Sequence, residues 1–173
     1  MSIETIQNAI RDVVDFPKEG IVYKDITPLL KDPKIFQEIT DLFTEKYKDQ
    51  EIDYVVGVES RGFIFGAPLA LNLGCGFIPA RKKGKLPYTT IEESYDLEYG
   101  SATLELHTDA IEKGKKVVII DDLLATGGTV NAVAKLIERL GGDIVGIDFL
   151  IGLTFLPGKE VLSKYDVNSL IEF

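Results

Sequence analysis

The chain has 173 residues, of which 45% are hydrophobic and 27% are charged, a composition typical of one soluble globular domain. Its formal net charge of −9 argues against non-specific binding to nucleic acid or to an anionic membrane surface. One cysteine and one histidine exclude an internal disulfide and argue against a thiol–imidazole metal cluster, so a bound metal would need oxygen ligands.

The predicted elements alternate between helices and short apolar strands. The first are a helix over 3–14 that ends before Pro17, a helix that begins at Asp32-Pro33, a strand over 54–58 and a helix over 63–73. After these come strands over 77–80, 102–106 and 117–120, a helix over 129–140 and a strand over 144–151. This alternation predicts an α/β fold with a mostly parallel twisted sheet flanked by helices, and ligands of such sheets bind beyond the carboxyl ends of the strands.

Residues 81–100 show no hydrophobic periodicity and predict a long loop, which in a compact domain is usually functional or disordered. Four of the nineteen lysines and arginines lie within five positions, from Arg81 to Lys85. A basic cluster in an acidic chain suggests a site for a small polyanion. A solvated basic turn would have the same composition, so this alternative stays open.

No apolar run reaches the roughly 20 residues that a membrane helix needs. The first residues also lack the basic lead and apolar core of a secretory signal. We therefore expect a cytoplasmic protein that binds neither a membrane nor a nucleic acid.

The segment 117–129 carries the strongest chemical signal in the chain. An apolar strand ends in two carboxylates, Asp121 and Asp122, and a glycine-rich turn then enters a helix. Backbone N–H groups in such a turn face the positive end of the helix dipole, which makes the turn a phosphate cradle. The hydroxyls of Thr126 and Thr129 can donate further hydrogen bonds to phosphate oxygens.

The two carboxylates would repel a phosphate, but they are strong acceptors for the vicinal hydroxyls of a ribose whose 5′-phosphate lies in the turn. They could also hold Mg²⁺ through water. The alternative is a surface acidic pair with no ligand. The turn lacks the lysine of a nucleoside-triphosphate P-loop and the G-x-G-x-x-G of a dinucleotide site, so the pattern favours a ribose phosphate over a triphosphate or NAD.

Residues 117–129 resemble the phosphoribosyl-pyrophosphate signature of the type I phosphoribosyltransferases. Four further segments resemble, in the same order, the adenine phosphoribosyltransferase family: residues 16–30, 59–63, 81–87 and 94–100. Together they extend from residue 16 to residue 129. Several motifs in the right order make the resemblance specific to that family.

The resemblance implies a Mg²⁺-dependent enzyme of purine salvage that converts adenine and 5-phosphoribosyl 1-pyrophosphate into AMP and pyrophosphate. It also implies a homodimer and the type I phosphoribosyltransferase fold. We accordingly expect a single domain over residues 1–173, with a small N-terminal hood at about 1–30 and a mobile catalytic loop at about 88–101.

Roles for individual residues follow from the same resemblance. The ribose hydroxyls would be held by Asp121 and Asp122, and the 5′-phosphate by Ala125, Thr126, Gly127, Gly128 and Thr129. Pyrophosphate would be bound by Glu59, Ser60, Arg61, Gly62, Arg81, Lys82 and Lys85. Adenine would contact Val22, Tyr23, Lys24 and Leu123.

Three details of the resemblance concern chemistry that the residues alone do not show. Glu98 matches the proposed proton-transfer residue, and Arg81 is expected to reach into the site of a neighbouring subunit. A cis peptide bond is expected between Glu59 and Ser60. No side chain is expected to ligate Mg²⁺ directly, because the substrate and water would hold it near the two aspartates.

Two residues differ from the family pattern, and two alternative functions stay open. Lys24 stands where some relatives have arginine, and Tyr23 where phenylalanine is more usual, which leaves adenine affinity unsettled. A phosphoribosyltransferase for another purine (hypoxanthine, guanine or xanthine) would share most of these motifs. So would a non-catalytic regulator that senses phosphoribosyl pyrophosphate.

Overall fold

Helices and strands alternate along the part of the chain that the computed structural model describes, residues 2–97 and 99–173. The strands are β1 (Arg11–Val14), β2 (Val22–Asp25), β3 (Tyr54–Val58), β4 (Gly76–Lys82), β5 (Thr90–Asp96), β6 (Ser101–His107), β7 (Lys116–Leu124), β8 (Asp143–Gly152) and β9 (Val167–Glu172). The helices are α1 (Ile3–Asn8), α2 (Thr27–Lys31), α3 (Pro33–Tyr47), α4 (Gly62–Leu73), α5 (Gly128–Arg139) and α6 (Gly158–Val161).

A seven-stranded sheet organises these elements, with the strand order β5-β6-β4-β3-β7-β8-β9. The five neighbours β4, β3, β7, β8 and β9 pair in parallel. At one edge, β6 pairs antiparallel with both β4 and β5. The predicted α/β fold with a mostly parallel sheet is therefore confirmed. The strands β3 and β7 lie side by side in its centre, so the residues that follow them meet at the same edge.

Helices cover both faces of the sheet because successive residues of the central strands point to opposite sides. Val56 of β3 lies in one apolar cluster together with Val133 and Ile137 of α5. Its neighbour Val55 lies in a second cluster, with Phe65 of α4 and further side chains of α3. The continuous apolar runs of β3 and β7 thus serve two cores, as expected for strands buried on both faces.

The predicted start of one helix and the predicted end of another are confirmed. The Asp32 carboxylate accepts hydrogen bonds from the N–H groups of Lys34 and Ile35 at 2.9 and 3.2 Å, which caps α3 as the sequence predicts. Helix α4 ends at Gly74, whose φ of +67° is the left-handed conformation that favours glycine. Both signals are local, which is why the sequence alone revealed them.

The prediction of one helix over residues 3–14 was wrong. Helix α1 ends at Asn8, and Arg11–Val14 instead forms β1, which pairs antiparallel with β2 in a two-stranded sheet. A hydrogen bond from the Gly20 N–H to the Asp15 carboxylate, at 2.8 Å, holds the turn between these strands. Backbone pairing with the next strand along the chain therefore overrode a helical spacing of apolar residues.

The long loop predicted over residues 81–100 was also wrong. Strand β4 continues to Lys82, and Thr90–Asp96 forms β5, which pairs along its whole length with β6. Half-buried and exposed residues alternate along β5, but its half-buried positions include Glu93 as well as Ile91 and Tyr95. A charged residue on the inner face of the strand removed the hydrophobic alternation that would have predicted it.

Candidate active site

A pocket of about 310 Å³ opens at the carboxyl ends of β3 and β7, where an α/β sheet is expected to bind its ligand. Its walls come from the turn after β3, the end of β4, the hairpin β5–β6, and the end of β7 with the turn into α5. The predicted site residues that line it are Glu59, Ser60, Arg61, Lys82, Asp121, Asp122, Leu123, Ala125, Thr126, Gly127 and Thr129. Four segments of the resemblance therefore contribute to one cavity.

Both aspartates of the signature lie on β7 itself, because this strand continues past the predicted end at residue 120 to Leu124. Only residues 125–127 lie between β7 and α5. Asp122 is buried, with 6% of its surface exposed. Its N–H donates to Oδ1 of Asp121 at 2.9 Å. The two carboxyl groups are thus held at the rigid end of a central strand rather than on a flexible loop.

The turn after β7 has the backbone geometry of an anion site. Gly127 caps α5 with φ of +84°, and a Cβ there would lie 3.0 Å from the Gly158 carbonyl oxygen, so only glycine fits. The first hydrogen bond of α5 runs from the Asn131 N–H to the Gly127 carbonyl at 2.9 Å. The N–H groups that precede Asn131 are therefore not used by the helix and face its open end.

Arg61 joins the turn after β3 to the acidic pair. Its Nε donates to Oδ2 of Asp122 at 2.5 Å, and the guanidinium lies 5.9 Å from the centre of the Tyr23 ring. The Arg61 side chain is 47% exposed, while that of Asp122 is 9% exposed. The pair therefore neutralises a buried carboxylate and leaves part of a cation open to the pocket.

Burial, together with the negative charge of Asp122, raises the pKa of Asp121 well above its usual range. A carboxyl group whose charge is disfavoured in the fold costs stability once it ionises. The arrangement is unfavourable for folding and therefore points to a ligand whose hydroxyl groups would stabilise the charge.

Asp121→Asn is expected to raise the melting temperature at pH 7 by about 2–4 °C, which corresponds to about 1 kcal/mol in a chain of this size. Because the folded pKa of Asp121 lies above its unfolded value, the wild type loses stability as pH rises from about 4 through the raised pKa. The asparagine side chain does not ionise, so the variant does not lose this stability as pH rises. Differential scanning calorimetry from pH 3.5 to 8 should show a gain that vanishes at the acid end. Asp143→Asn, an exposed change at the other end of the sheet, is the control and should change the melting temperature little.

Glu59 and Ser60 follow β3 and are joined by a cis peptide bond, as the resemblance implies. The Glu59 carboxylate accepts a hydrogen bond from the Lys82 N–H at 2.7 Å and lies 3.4 Å from Nη2 of Arg81. It therefore ties the turn after β3 to the end of β4. Gly62 begins α4 close to β7, where a Cβ would lie 2.8 Å from the Ile120 carbonyl oxygen.

The predicted cations are placed unequally. Lys82 lines the pocket, whereas Arg81 and Lys85 do not. Arg81 lies against its own Glu59 and 6.0 Å from the Phe63 ring. Lys85 is exposed at the surface of the turn that follows β4.

The segment predicted to bind adenine lies in the sheet β1–β2, beside the pocket. Tyr23 packs edge-on against Phe16, with the ring centres 5.3 Å apart, and faces Arg61. The Lys24 ammonium pairs with Asp12 at 2.7 Å and lies 3.9 Å from the Phe173 ring. The Lys24 side chain is therefore already engaged by an ion pair and a ring contact within the chain.

The structure adds residues that sequence reasoning missed, and one predicted residue, Glu98, lies outside the described residues. Tyr95 lines the pocket, and its hydroxyl oxygen accepts a hydrogen bond from Oγ1 of Thr129 at 3.1 Å. Tyr95 belongs to the resembling segment 94–100, which could have identified it. Glu105 alternates with the apolar residues Leu104 and Leu106, a pattern that predicts an outward polar side chain, but the structure buries it.

Within residues 2–97 and 99–173, no group of three or more His, Cys, Asp and Glu side chains is placed to hold a metal ion. In the same part of the chain, no helix has the length and apolar character needed to cross a membrane.

Comparison with known proteins places this geometry in a family. The model of the phosphoribosyl transferase domain matches residues 25–170. The chain is 54% identical over 168 residues to the adenine phosphoribosyltransferase of Clostridium botulinum (strain Loch Maree / Type A3), covering 97% of this chain and 98% of that protein. It is 55% identical over 168 residues to the enzyme of the same name from Clostridium tetani, with the same coverage.

Solved structures agree over the whole fold. The adenine phosphoribosyltransferase of Thermoanaerobacter pseudethanolicus superposes with a TM-score of 0.96 at 52% identity, covering 99% of this chain and 100% of that one. That of Saccharomyces cerevisiae, solved with an imino-altritol bisphosphate and adenine, gives 0.93 at 40% identity and covers 97% of each chain.

Proposed function

The chain belongs to the adenine phosphoribosyltransferase family, and we propose that it converts adenine and 5-phosphoribosyl 1-pyrophosphate into AMP and pyrophosphate. The observation that carries the proposal is the arrangement of one pocket, in which the pair Asp121 and Asp122 lies between an open anion turn and Arg61. The relatives named above share nearly the full length of the chain. The reaction would recover adenine for nucleotide synthesis, which is purine salvage.

The proposed substrate orientation follows from the charges of the pocket. The 5′-phosphate binds the N–H groups and hydroxyls of residues 125–129, at the positive end of α5. The ribose hydroxyls donate hydrogen bonds to the two carboxylates, which lie directly before that turn. The diphosphate then points towards Ser60, Arg61 and Lys82 on the opposite wall.

The chemical step breaks the bond between C1′ of the ribose and the diphosphate oxygen and forms a bond from C1′ to N9 of adenine, with inversion at C1′. The sugar passes through an oxocarbenium-like state, and the leaving diphosphate gains charge. Arg61 and Lys82, fixed before the reaction, stabilise that charge, which is usually the largest catalytic contribution. The base loses its N9 proton, and Glu98 is the proposed proton-transfer residue.

We propose Mg²⁺ as the cofactor because the acidic pair offers oxygen atoms, the ligands that this ion prefers. Asp122 is already paired with Arg61, so the acidic pair cannot surround the ion by itself. The substrate oxygens and water would therefore complete its shell, with Asp121 and Asp122 holding it through water. When bound, Mg²⁺ neutralises charge on the diphosphate.

The family resemblance further supports a cytoplasmic homodimer in which Arg81 reaches the site of the other subunit. In the single chain, Arg81 lies against its own Glu59, so this role would require the side chain to reorient. A sedimentation measurement on the full chain tests the dimer directly.

Turnover with alternative bases tests the proposed function. With Mg²⁺ and phosphoribosyl pyrophosphate, labelled adenine should give AMP and one equivalent of pyrophosphate. Hypoxanthine should react with a kcat/KM lower by about 10²-fold or more, because its 6-oxo group leaves polar groups made for an amine unpaired. Removal of Mg²⁺ with EDTA should stop the reaction, and added Mg²⁺ should restore it.

Two other outcomes would each replace the proposal. A preference for hypoxanthine, guanine or xanthine would make the chain a phosphoribosyltransferase of another purine. Tight binding of phosphoribosyl pyrophosphate without pyrophosphate release from any purine would make it a sensor, and a gel-shift assay with DNA would then follow. A reaction mixture without base is the control for hydrolysis of the sugar.

A further inference from the structure

Glu105 is a buried carboxylate beside the pocket to which the mechanism above gives no role. It lies on β6 and is 4% exposed. Its neighbour Leu104 lines the pocket, and in the register between β4 and β6 the residues Arg81 and Lys82 lie opposite Glu105 and Leu104. Glu105 is therefore at the base of the segment that carries the predicted diphosphate cations.

The carboxylate of Glu105 is held by four donors from two segments. Its Oε1 accepts hydrogen bonds from three consecutive N–H groups, those of Gly84, Lys85 and Leu86, at 2.7, 3.2 and 3.4 Å. Its Oε2 accepts one from Oγ1 of Thr90 at 3.0 Å. Burial alone would raise the pKa of Glu105, but the hydrogen bonds from Thr90 and the turn outweigh it and lower that pKa.

Three converging N–H groups make a turn into an anion nest. The turn after β4 has this geometry, with Gly84 in the left-handed conformation at φ of +85°. Its anion is the chain's own Glu105 carboxylate. The N–H groups of this turn are therefore withheld from a substrate, and its binding capacity rests on its lysine side chains.

The same contacts fix where those lysines lie. The Lys83 N–H donates to the Thr103 carbonyl at 3.0 Å, and the Lys82 N–H donates to Glu59 at 2.7 Å. The chain leaves β4 at Lys82 and immediately folds over Glu105. Two acidic side chains, Glu59 and Glu105, thus hold the backbone on either side of the cation that lines the pocket.

We propose that Glu105 is a positioning residue for diphosphate binding: it holds the turn of residues 83–86 so that Lys82, at the start of that turn, presents its ammonium group to the leaving diphosphate. This inference rests on the proposed function. It predicts a selective effect on the diphosphate substrate, because the donors that hold Glu105 lie in residues 84–90 and not in the adenine segment on β1–β2.

The matched control is Glu92. It lies opposite Glu105 in the register between β5 and β6, and its carboxylate pairs with the Lys83 ammonium at 2.9 Å. Its side chain is 49% exposed. Glu92→Ala therefore removes an exposed carboxylate that contacts the same turn from β5, and it leaves the three N–H groups bound.

Steady-state kinetics and calorimetry with Mg²⁺-pyrophosphate test the proposal. Glu105→Ala should raise KM for phosphoribosyl pyrophosphate and Kd for pyrophosphate about tenfold or more, since it removes hydrogen bonds to a charged group. KM for adenine should stay within about twofold of wild type. Glu105→Gln should partly rescue binding, because its amide oxygen can accept the three N–H groups and its NH₂ can donate to Thr90. Glu92→Ala should match the wild type.

Thr90→Val keeps the carboxylate and the shape of the strand, so it carries the test if Glu105→Ala fails to fold. It should raise Kd for pyrophosphate by about two- to fivefold, as expected for one lost hydrogen bond. Unchanged Kd values in Glu105→Gln and Thr90→Val, or an equal rise of KM for both substrates, would overturn the proposal. If the wild type binds pyrophosphate but makes no AMP, the proposed function fails, while the pyrophosphate Kd values still decide the role of Glu105.

Discussion

Replacing both acidic residues of the pocket, in the double variant Asp121→Asn/Asp122→Asn, is expected to lower kcat/KM for phosphoribosyl pyrophosphate by about 10²- to 10⁴-fold. Each carboxylate is proposed to accept a hydrogen bond from a ribose hydroxyl, and hydrogen bonds to a charged group contribute about 1.5–3 kcal/mol each. The double variant also removes the anionic partner of Arg61. Steady-state kinetics with adenine as second substrate measures the loss.

The control for this variant removes two negative charges at other positions of the chain. Asp49→Asn/Asp143→Asn replaces two exposed aspartates, one after α3 and one at the start of β8, opposite the first residue of β7. It should keep kcat/KM within about twofold of wild type, because screened surface charges far from a site have small effects. Wild-type turnover by the Asp121/Asp122 double variant would contradict the assignment of the ribose site.

The two predictions for Asp121 act in opposite directions on one side chain. The same loss of charge that should raise the melting temperature of Asp121→Asn should contribute to the loss of catalysis in the double variant. A residue that costs stability in the free protein and binds substrate is a usual feature of active sites. A variant that lost both stability and activity would instead indicate that Asp121 is mainly structural.

Glu98→Gln is expected to lower kcat by about 10²- to 10⁴-fold and to leave a slow but measurable enzyme. Glutamine has nearly the same shape and cannot exchange the proton, so KM for both substrates should change little. Rapid-quench measurement of the first turnover separates this chemical step from product release. The assignment of Glu98 rests on the family resemblance, which makes this experiment its direct test.

Asp96→Asn is the matched control for Glu98→Gln. Asp96 is exposed, lies two residues earlier in the chain and pairs through the backbone with Ser101. This variant should keep kcat within about threefold of wild type, since Asp96 does not line the pocket and exposed substitutions usually have small effects. A first-turnover rate of Glu98→Gln equal to that of wild type would show that the proton leaves through another group or through solvent.

Local signals in the sequence identified much of the fold. The Asp32 cap and the stop at Gly74 were read from single residues because each bonds or bends its own backbone. The continuous apolar runs of β3 and β7 predicted strands buried on both faces, as in the centre of the sheet. Of the antiparallel hairpin β5–β6, the sequence predicted β6 but not β5. The reason is that Glu93 lies on the inner face of β5, where it forms an ion pair with Arg139.

The sequence by itself determined the α/β alternation, the acid pair and the anion turn, because strand, carboxylates and glycines follow one another within thirteen residues. Only the tertiary structure decided that Arg61 neutralises Asp122 and that Glu105 is buried under the basic turn. The partners in these contacts are 61 and about 20 residues apart, and strand order brings them together. Periodicity reports which side chains of one element share a face, whereas a hydrogen bond between elements depends on which strands become neighbours.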